Sequence, residues 1–196
     1  GDQHANEQLS AAVDHPVSLW SMQADDSFWL RGTPDHDDLM EELRAIFGRI
    51  DDEPLPDLSI FPPEMMTFEY PPGTYHDAFP LMIMSTSALR SLQAAVPASV
   101  IDVRRLRPSL VVDTGDASGH PEFGWVGHRV RIGSTLLEIR SACPRCVAIT
   151  RAFGPDIPAD LQVLRHVVRD LDQAVGVYAT VIEGGSISTG DPVEID

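Results

Sequence analysis

The chain has 196 residues, 43% of them hydrophobic, and a net charge of −16 at pH 7. That is enough apolar material for the core of one domain or one and a half. All 14 basic residues are arginine, so the chain can neither form a lysine Schiff base with pyridoxal phosphate nor supply the lysine of a P-loop. So acidic a protein lacks the basic surface that non-specific nucleic-acid binding needs.

No apolar run reaches the roughly 18 residues of a membrane span, and no basic-then-apolar leader opens the sequence. Two closely spaced cysteines do not form the framework of a secreted disulfide fold. The location expected from these features is cytoplasmic, with no membrane partner. The charge is uneven. Residues 104–151 hold eight arginines against four acids, whereas residues 1–80 hold three arginines against 17 acids. The basic stretch is suited to a small anionic ligand, although arginines decorating strands would give the same composition.

In chain order, "DQHANEQLSAAVDHP" (2–16) predicts a short helix and "VSLW" (17–20) a strand. "TPDHDDLMEELRAIFGRI" (33–50) predicts a stronger helix, capped by Thr33 or Asp35, with Leu39, Met40, Leu43, Ile46, Phe47 and Ile50 at helical spacing. A connection with four prolines (51–65) marks a boundary. The strand "LMIMS" (81–85) is followed by a helix over 88–96 that Ser85 or Ser87 can cap. From residue 100 the pattern turns to β. Apolar stretches flank Arg104, Arg105 and Arg107, two strands in 124–142 meet at Gly133-Ser134, and "CVAIT" (146–150) forms another. A helix over 158–171 precedes a final strand, a Gly-Gly turn and two short strands separated by a tight turn at Gly190-Asp191. The expected fold class is α+β and strand-rich, a distorted β-barrel with two to four peripheral helices.

Chemistry concentrates in "IRSACPRCVAIT" (139–150), which holds the only two cysteines. A zinc site needs four ligands, and the seven histidines are scattered with none at a paired spacing. A redox pair belongs where a strand enters a helix, whereas strands are predicted on both sides here. Arg145, between the two thiols, favours anionic sulfur. A thiolate there would be a soft ligand for molybdenum or a carrier of persulfide sulfur. These residues alone leave both a functional thiol and plain buried packing open.

The segments "RRLRPSLVVD", "GWVGHRVRIGSTLLEIRSACPRCVAIT" and "GVYATVIEGGSISTGDPVEI", in this order and spacing, resemble the MOSC family. These are domains related to the C-terminal part of molybdenum cofactor sulfurase, and they include the mitochondrial amidoxime-reducing component and its bacterial relatives. The resemblance implies a MOSC domain over 79–196. Residues 1–78 then correspond to the acidic rear part of an N-terminal-like region, with the Pro-rich connection at 51–65.

The resemblance also implies a molybdenum cofactor (molybdopterin) held with Cys146 as metal ligand and catalytic residue, with Cys143 ranked below it. Arg107, with Arg105 beside it, would face the cofactor phosphate. The Ser85-Thr86-Ser87 turn would present hydroxyls and N–H groups, although a plain helix cap explains it equally well. Arg145 flanks the metal ligand, and Ser109 stands where the family has asparagine. The first reading is a molybdenum-dependent oxidoreductase acting on N-oxygenated small molecules. Its electrons would come from a separate flavin or iron–sulfur protein, because two cysteines cannot hold a cluster. The second is a persulfide carrier or transferase fed by a sulfur donor, and the third a non-catalytic barrel that binds a partner.

Overall fold

The computed structural model describes residues 3–22, 30, 38–68 and 70–196. The chain divides into two compact units, one drawn from 1–33 and 61–78, the other from 34–60 and 79–196. In the first unit, Gln3–Val13 forms helix α1, which buries none of its residues. Residues 17–20 are not a strand. The N–H of Val17 donates to Ser10 Oγ at 2.9 Å and that of Leu19 to Asn6 Oδ1 at 2.7 Å, so helix side chains take the donors that a ladder would use. An isolated antiparallel bridge joins Leu30 to Phe68.

The second unit is built on a six-stranded sheet, ordered β2-β1-β5-β4-β3-β6. The strands are β1 (Leu81–Ser85), β2 (Leu110–Val112), β3 (Arg129–Ile132), β4 (Thr135–Pro144), β5 (Ala174–Glu183) and β6 (Val193–Ile195). Only β1 and β2 pair in parallel, as a strand–helix–strand crossover requires. The others are antiparallel. The register of β4 on β5 shifts at three places, and such bulges bend and twist a sheet. The sheet curls accordingly into a half-barrel, so the fold is α+β and strand-rich as expected. Ile83, Val112, Trp125, Val130, Ile132, Leu137, Ile139, Val177 and Ala179 form its core.

Beside α1, the helices are α2 (Leu39–Phe47), α3 (Thr86–Ala95), α4 (Val103–Leu106) and α5 (Leu161–Asp170). Asp38 caps α2 by accepting from Met40 N at 2.6 Å, while Thr33 and Asp35 lie outside the described residues. Ser85 caps α3, its Oγ accepting from Ala88 N at 3.0 Å. Val163, Leu164, Val167 and Val168 make the buried stripe of α5; helical spacing predicts Leu164, Val167 and Val168 there, but also Leu161, which is 61% exposed.

Three further β expectations fail. Residues 103–106 are a helical turn rather than a strand, because Asp102 accepts from Arg104 N at 2.8 Å and caps it. Residues 147–150 form a 3₁₀ turn, closed by Thr150 Oγ1 donating to Val147 O at 2.8 Å. No strand forms between the Gly-Gly turn and Gly190. In the first two cases a short polar side chain supplies a local hydrogen bond that competes with the ladder.

The segment 44–60 is bound to the sheet unit by buried polar groups. Arg49 donates from Nε to Gln173 Oε1 at 3.1 Å and to Pro54 O at 3.2 Å, and Glu53 pairs with Arg165. Gly48, at φ +61°, ends α2 in the left-handed region, and a Cβ there would meet Leu164 Cδ2 at 2.9 Å.

Gly176 in β5 has φ +75°, and a Cβ there would approach Ile83 O and Met82 Sδ at 2.8 Å. Gly176→Ala therefore combines backbone strain with overpacking against β1. The expected destabilisation is about 2–4 kcal/mol, read as a lowered urea midpoint. The carboxyl of half-buried Asp102 is lowered to about 2, first by hydrogen bonds from the Arg104 side chain and then from its backbone N–H. A depressed carboxyl contributes stability above its unfolded value and loses it as pH falls. The Tm deficit of Asp102→Asn should be fullest above about pH 4 and vanish near pH 2.

Candidate functional site

Sheet register decides which polar segments meet. Ile83 of β1 pairs with Val177 of β5, and Val177 pairs with Ala142 of β4. β1 and β4 both run antiparallel to β5, so they point the same way. Two residues beyond that row lie Ser85 on one strand and Pro144 on the other. The Ser85-Thr86-Ser87 turn and the Cys143–Cys146 loop therefore leave the sheet at the same end, two strand spacings or about 10 Å apart. β2, parallel to β1, delivers Asp113 and Thr114 to that end as well. Ser109 lies at the opposite end of this pair, where it exchanges bonds with Met82. Its N–H donates to Met82 O at 2.7 Å, and its Oγ accepts from Met82 N at 3.1 Å.

The thiol loop is fixed by two arginines, half-buried Arg145 and fully buried Arg105. Arg145 donates from Nη1 to Cys143 Sγ at 3.1 Å and from Nη2 to Leu106 O at 2.7 Å, and its N–H reaches Gln173 O at 2.9 Å. Burial acts to lower the pKa of this guanidinium, but Cys143, Tyr178 and Cys146 act against it, and the net shift is upward. Cys143 is buried and Cys146 half-buried. Cys146 caps the 3₁₀ turn Val147–Thr150, so its sulfur sits where the strand gives way to a turn.

Arg105 works from the other side. It is 1% exposed, and it donates to Val100 O at 3.2 Å, Ile149 O at 2.8 Å, Arg151 O at 3.2 Å and Pro158 O at 2.8 Å. Those bonds commit four of its five N–H groups. In this geometry Arg105 is a structural clamp on the segment after Cys146 and has little left to offer a phosphate. Arg107 follows α4 in the left-handed conformation, φ +55°, and is exposed. Of Arg105 and Arg107, it is the exposed one.

The hydroxyl turn is similarly divided. Ser85 and Ser87 are fully buried and bond inward, to Glu122 Oε2 at 2.5 Å and to Thr114 Oγ1 at 3.0 Å respectively. Thr86 is half-buried and donates to Asp113 Oδ1 at 3.2 Å. Only Thr86 has a hydroxyl near solvent.

Two features escaped the sequence reading. Arg49, far from the motif, donates to Arg145 O at 3.4 Å. Nothing in local spacing announces it, since the two are 96 residues apart. The second is a half-open cleft of about 230 Å³ beside the loop, lined by Pro56, Asp57, Ile60, Ser141, Pro144 and Gln173 among others. Ser141 Oγ is buried without a partner.

Residues 72–194 match the family model of the MOSC domain. The chain belongs to the MOSC domain family. This family is associated with proteins of the molybdenum cofactor, in accord with the resemblance carried by the motifs. Among solved structures, one described as the crystal structure of a hypothetical protein is 16% identical, with a TM-score of 0.38, covering 60% of this chain and 51% of its own. The match thus spans about half of that protein. No curated protein matches the chain. Among the described residues, no helix is long and apolar enough to cross a membrane.

Replacing Arg105 by Met would leave four carbonyls without their donor. The expected loss is about 3 kcal/mol, seen as a lower urea midpoint. Limited proteolysis should meanwhile become faster within 151–158.

Proposed function

We propose that the MOSC domain binds the molybdenum cofactor with Cys146 as its protein ligand and reduces N-oxygenated small molecules. The observation that carries this reading is the convergence at one sheet end of the thiol loop and the polar strand-to-helix turn. The chemistry of the donor set fits the group. A half-buried thiol held beside a buried guanidinium is a soft anionic ligand in waiting. An exposed arginine close in sequence and a partly exposed threonine hydroxyl suit a phosphate.

In this reading Cys146 would hold the metal, while Arg107 and Thr86 would hold the phosphate end. Arg145 would position the ligand loop and keep a positive charge beside it. Ser85, Ser87 and Arg105 would support the pocket through the groups they already bond, and Ser109 through the backbone of Met82. The group, when bound, supplies two-electron redox chemistry at the metal. The chain's own part is to orient the group, admit a small substrate through the adjacent cleft and exclude bulk water. Electrons would come from a flavin or iron–sulfur partner, since two thiols cannot hold a cluster.

The same loop favours a second reading. A thiol at a turn, next to a fixed guanidinium, can also carry persulfide sulfur. Sulfur would then come from a donor protein, because no lysine is present to hold pyridoxal phosphate.

Elemental analysis after production in a cofactor-synthesising host separates these readings. Near-stoichiometric molybdenum is expected in the wild type and in Cys143→Ser, and its loss in Cys146→Ser. Absence of metal from the wild type, with an added mass of one sulfur on Cys146, would replace the reductase reading by the carrier.

A further inference from the structure

Beside the turn Pro121–Trp125, two side chains are buried without being satisfied. Glu122 is 0% exposed, and only 9% of the His120 side chain reaches solvent. Glu122 Oε1 and His120 Nδ1 lie 3.8 Å apart, beyond hydrogen-bond distance, and neither has a partner. Buried polar atoms in folded proteins are nearly always satisfied, so two orphans side by side call for a reason.

Both side chains are held from behind. Ser85 donates from Oγ to Glu122 Oε2 at 2.5 Å, which engages one carboxylate oxygen and leaves the other open. Phe123 stacks on the His120 ring, with centroids 5.2 Å apart and planes 11° from parallel. A carboxylate and an imidazole oriented by outer partners are what a metal ion asks of its ligands.

Charge decides between a water and an ion in the gap. A water would satisfy both atoms but leave the charge of Glu122 uncompensated. Among the described residues, the arginine ion pairs all go to other acids, and a buried carboxylate without a cation is costly. The spacing suits an ion as well. Bonds of about 2.1 Å to an imidazole nitrogen and a carboxylate oxygen would span the gap at an angle of roughly 130°, and closure by about 0.4 Å would give the tetrahedral angle.

We propose that His120 Nδ1 and Glu122 Oε1 bind a divalent transition cation of the zinc class. Among the described residues, no group of three or more His, Cys, Asp or Glu side chains is placed to hold a metal. Water therefore completes the shell, and the ion is exchangeable rather than a permanent staple. One imidazole with one carboxylate suits zinc, whereas calcium and magnesium take oxygen ligands. The pair includes no thiol, so it is chemically separate from Cys146 and independent of the molybdenum reading. Through Glu122 the ion would brace Ser85, whose Oγ also accepts from Ala88 N at the start of α3. The buried side of the hydroxyl turn is stiffened as a result.

The test is a zinc titration of the cofactor-free full chain, followed at the ring nitrogens of its histidines by long-range proton–nitrogen NMR. The His120 Nδ1 resonance should move to the metal-bound position, and EDTA should return it. The other histidine rings report any binding elsewhere, and magnesium should leave His120 unmoved. Glu122→Gln keeps the shape of the side chain and removes its charge. It should weaken zinc binding at His120 by at least about tenfold. A His120 signal that millimolar zinc does not move, as for a pair bridged by water alone, would overturn the assignment. Equal affinity at His120 in wild type and Glu122→Gln would overturn it too. Where Glu122→Gln does not fold, Glu122→Asp draws the oxygen back by one methylene and is judged by the same outcomes.

Discussion

Two guanidinium groups lock the site, and much else depends on how they are satisfied. Arg105 reaches out from the turn 103–106 to carbonyls on either side of the segment 149–158. Arg145 reaches back from the thiol loop to the carbonyl of Leu106. The clasp is reciprocal, each segment holding the other through a buried cation. A desolvated charge left without hydrogen bonds would cost several kcal/mol. Each segment is thus confined to the few positions in which the other's carbonyls are available. Arginine suits this task because it presents five donors on one rigid plane and stays charged when buried.

The clasp also explains how roles are divided among neighbouring residues. Arg105 and Arg107 are two positions apart, yet one is sealed under the 149–158 segment and the other is exposed after a left-handed turn. Ser85 and Thr86 are adjacent, yet one hydroxyl faces a buried carboxyl group and the other an exposed one. At each pair the fold uses one residue to build the wall and leaves its neighbour near solvent. Motif matching assigns the pair one role together, whereas burial separates them.

Much of the architecture was legible in the sequence. The helical stripe of α5, the strand "LMIMS", the Ser85 cap and the hairpin at Gly133-Ser134 follow directly from periodicity and turn chemistry. Three of the failures have a common cause. Around Asp102, Ser10 and Thr150, a short polar side chain bonds a nearby backbone group and diverts it from the ladder. An apolar-rich window does not reveal this, because the deciding atom is a single side-chain oxygen. The candidate thiol and the hydroxyl turn were visible through the family motif. Arg49, Glu122 and His120 were not, since their importance depends on partners distant in the chain or on atoms left without any.

The sheet-bearing unit is discontinuous in sequence. It takes in 34–60, leaves for residues 61–78 and resumes at 79, while the family match starts at 72. Family boundary and folding boundary therefore differ. The 18 residues of that excursion must have their ends brought together before Arg49 can meet Gln173 or Glu53 can meet Arg165. Closing a flexible loop of that length costs about 2.5 kcal/mol in chain entropy by the logarithmic law. Docking of 34–60 is the step that bears this entropic cost. A chain cut to the family boundary would skip that step, leaving Arg165 and Gln173 facing water.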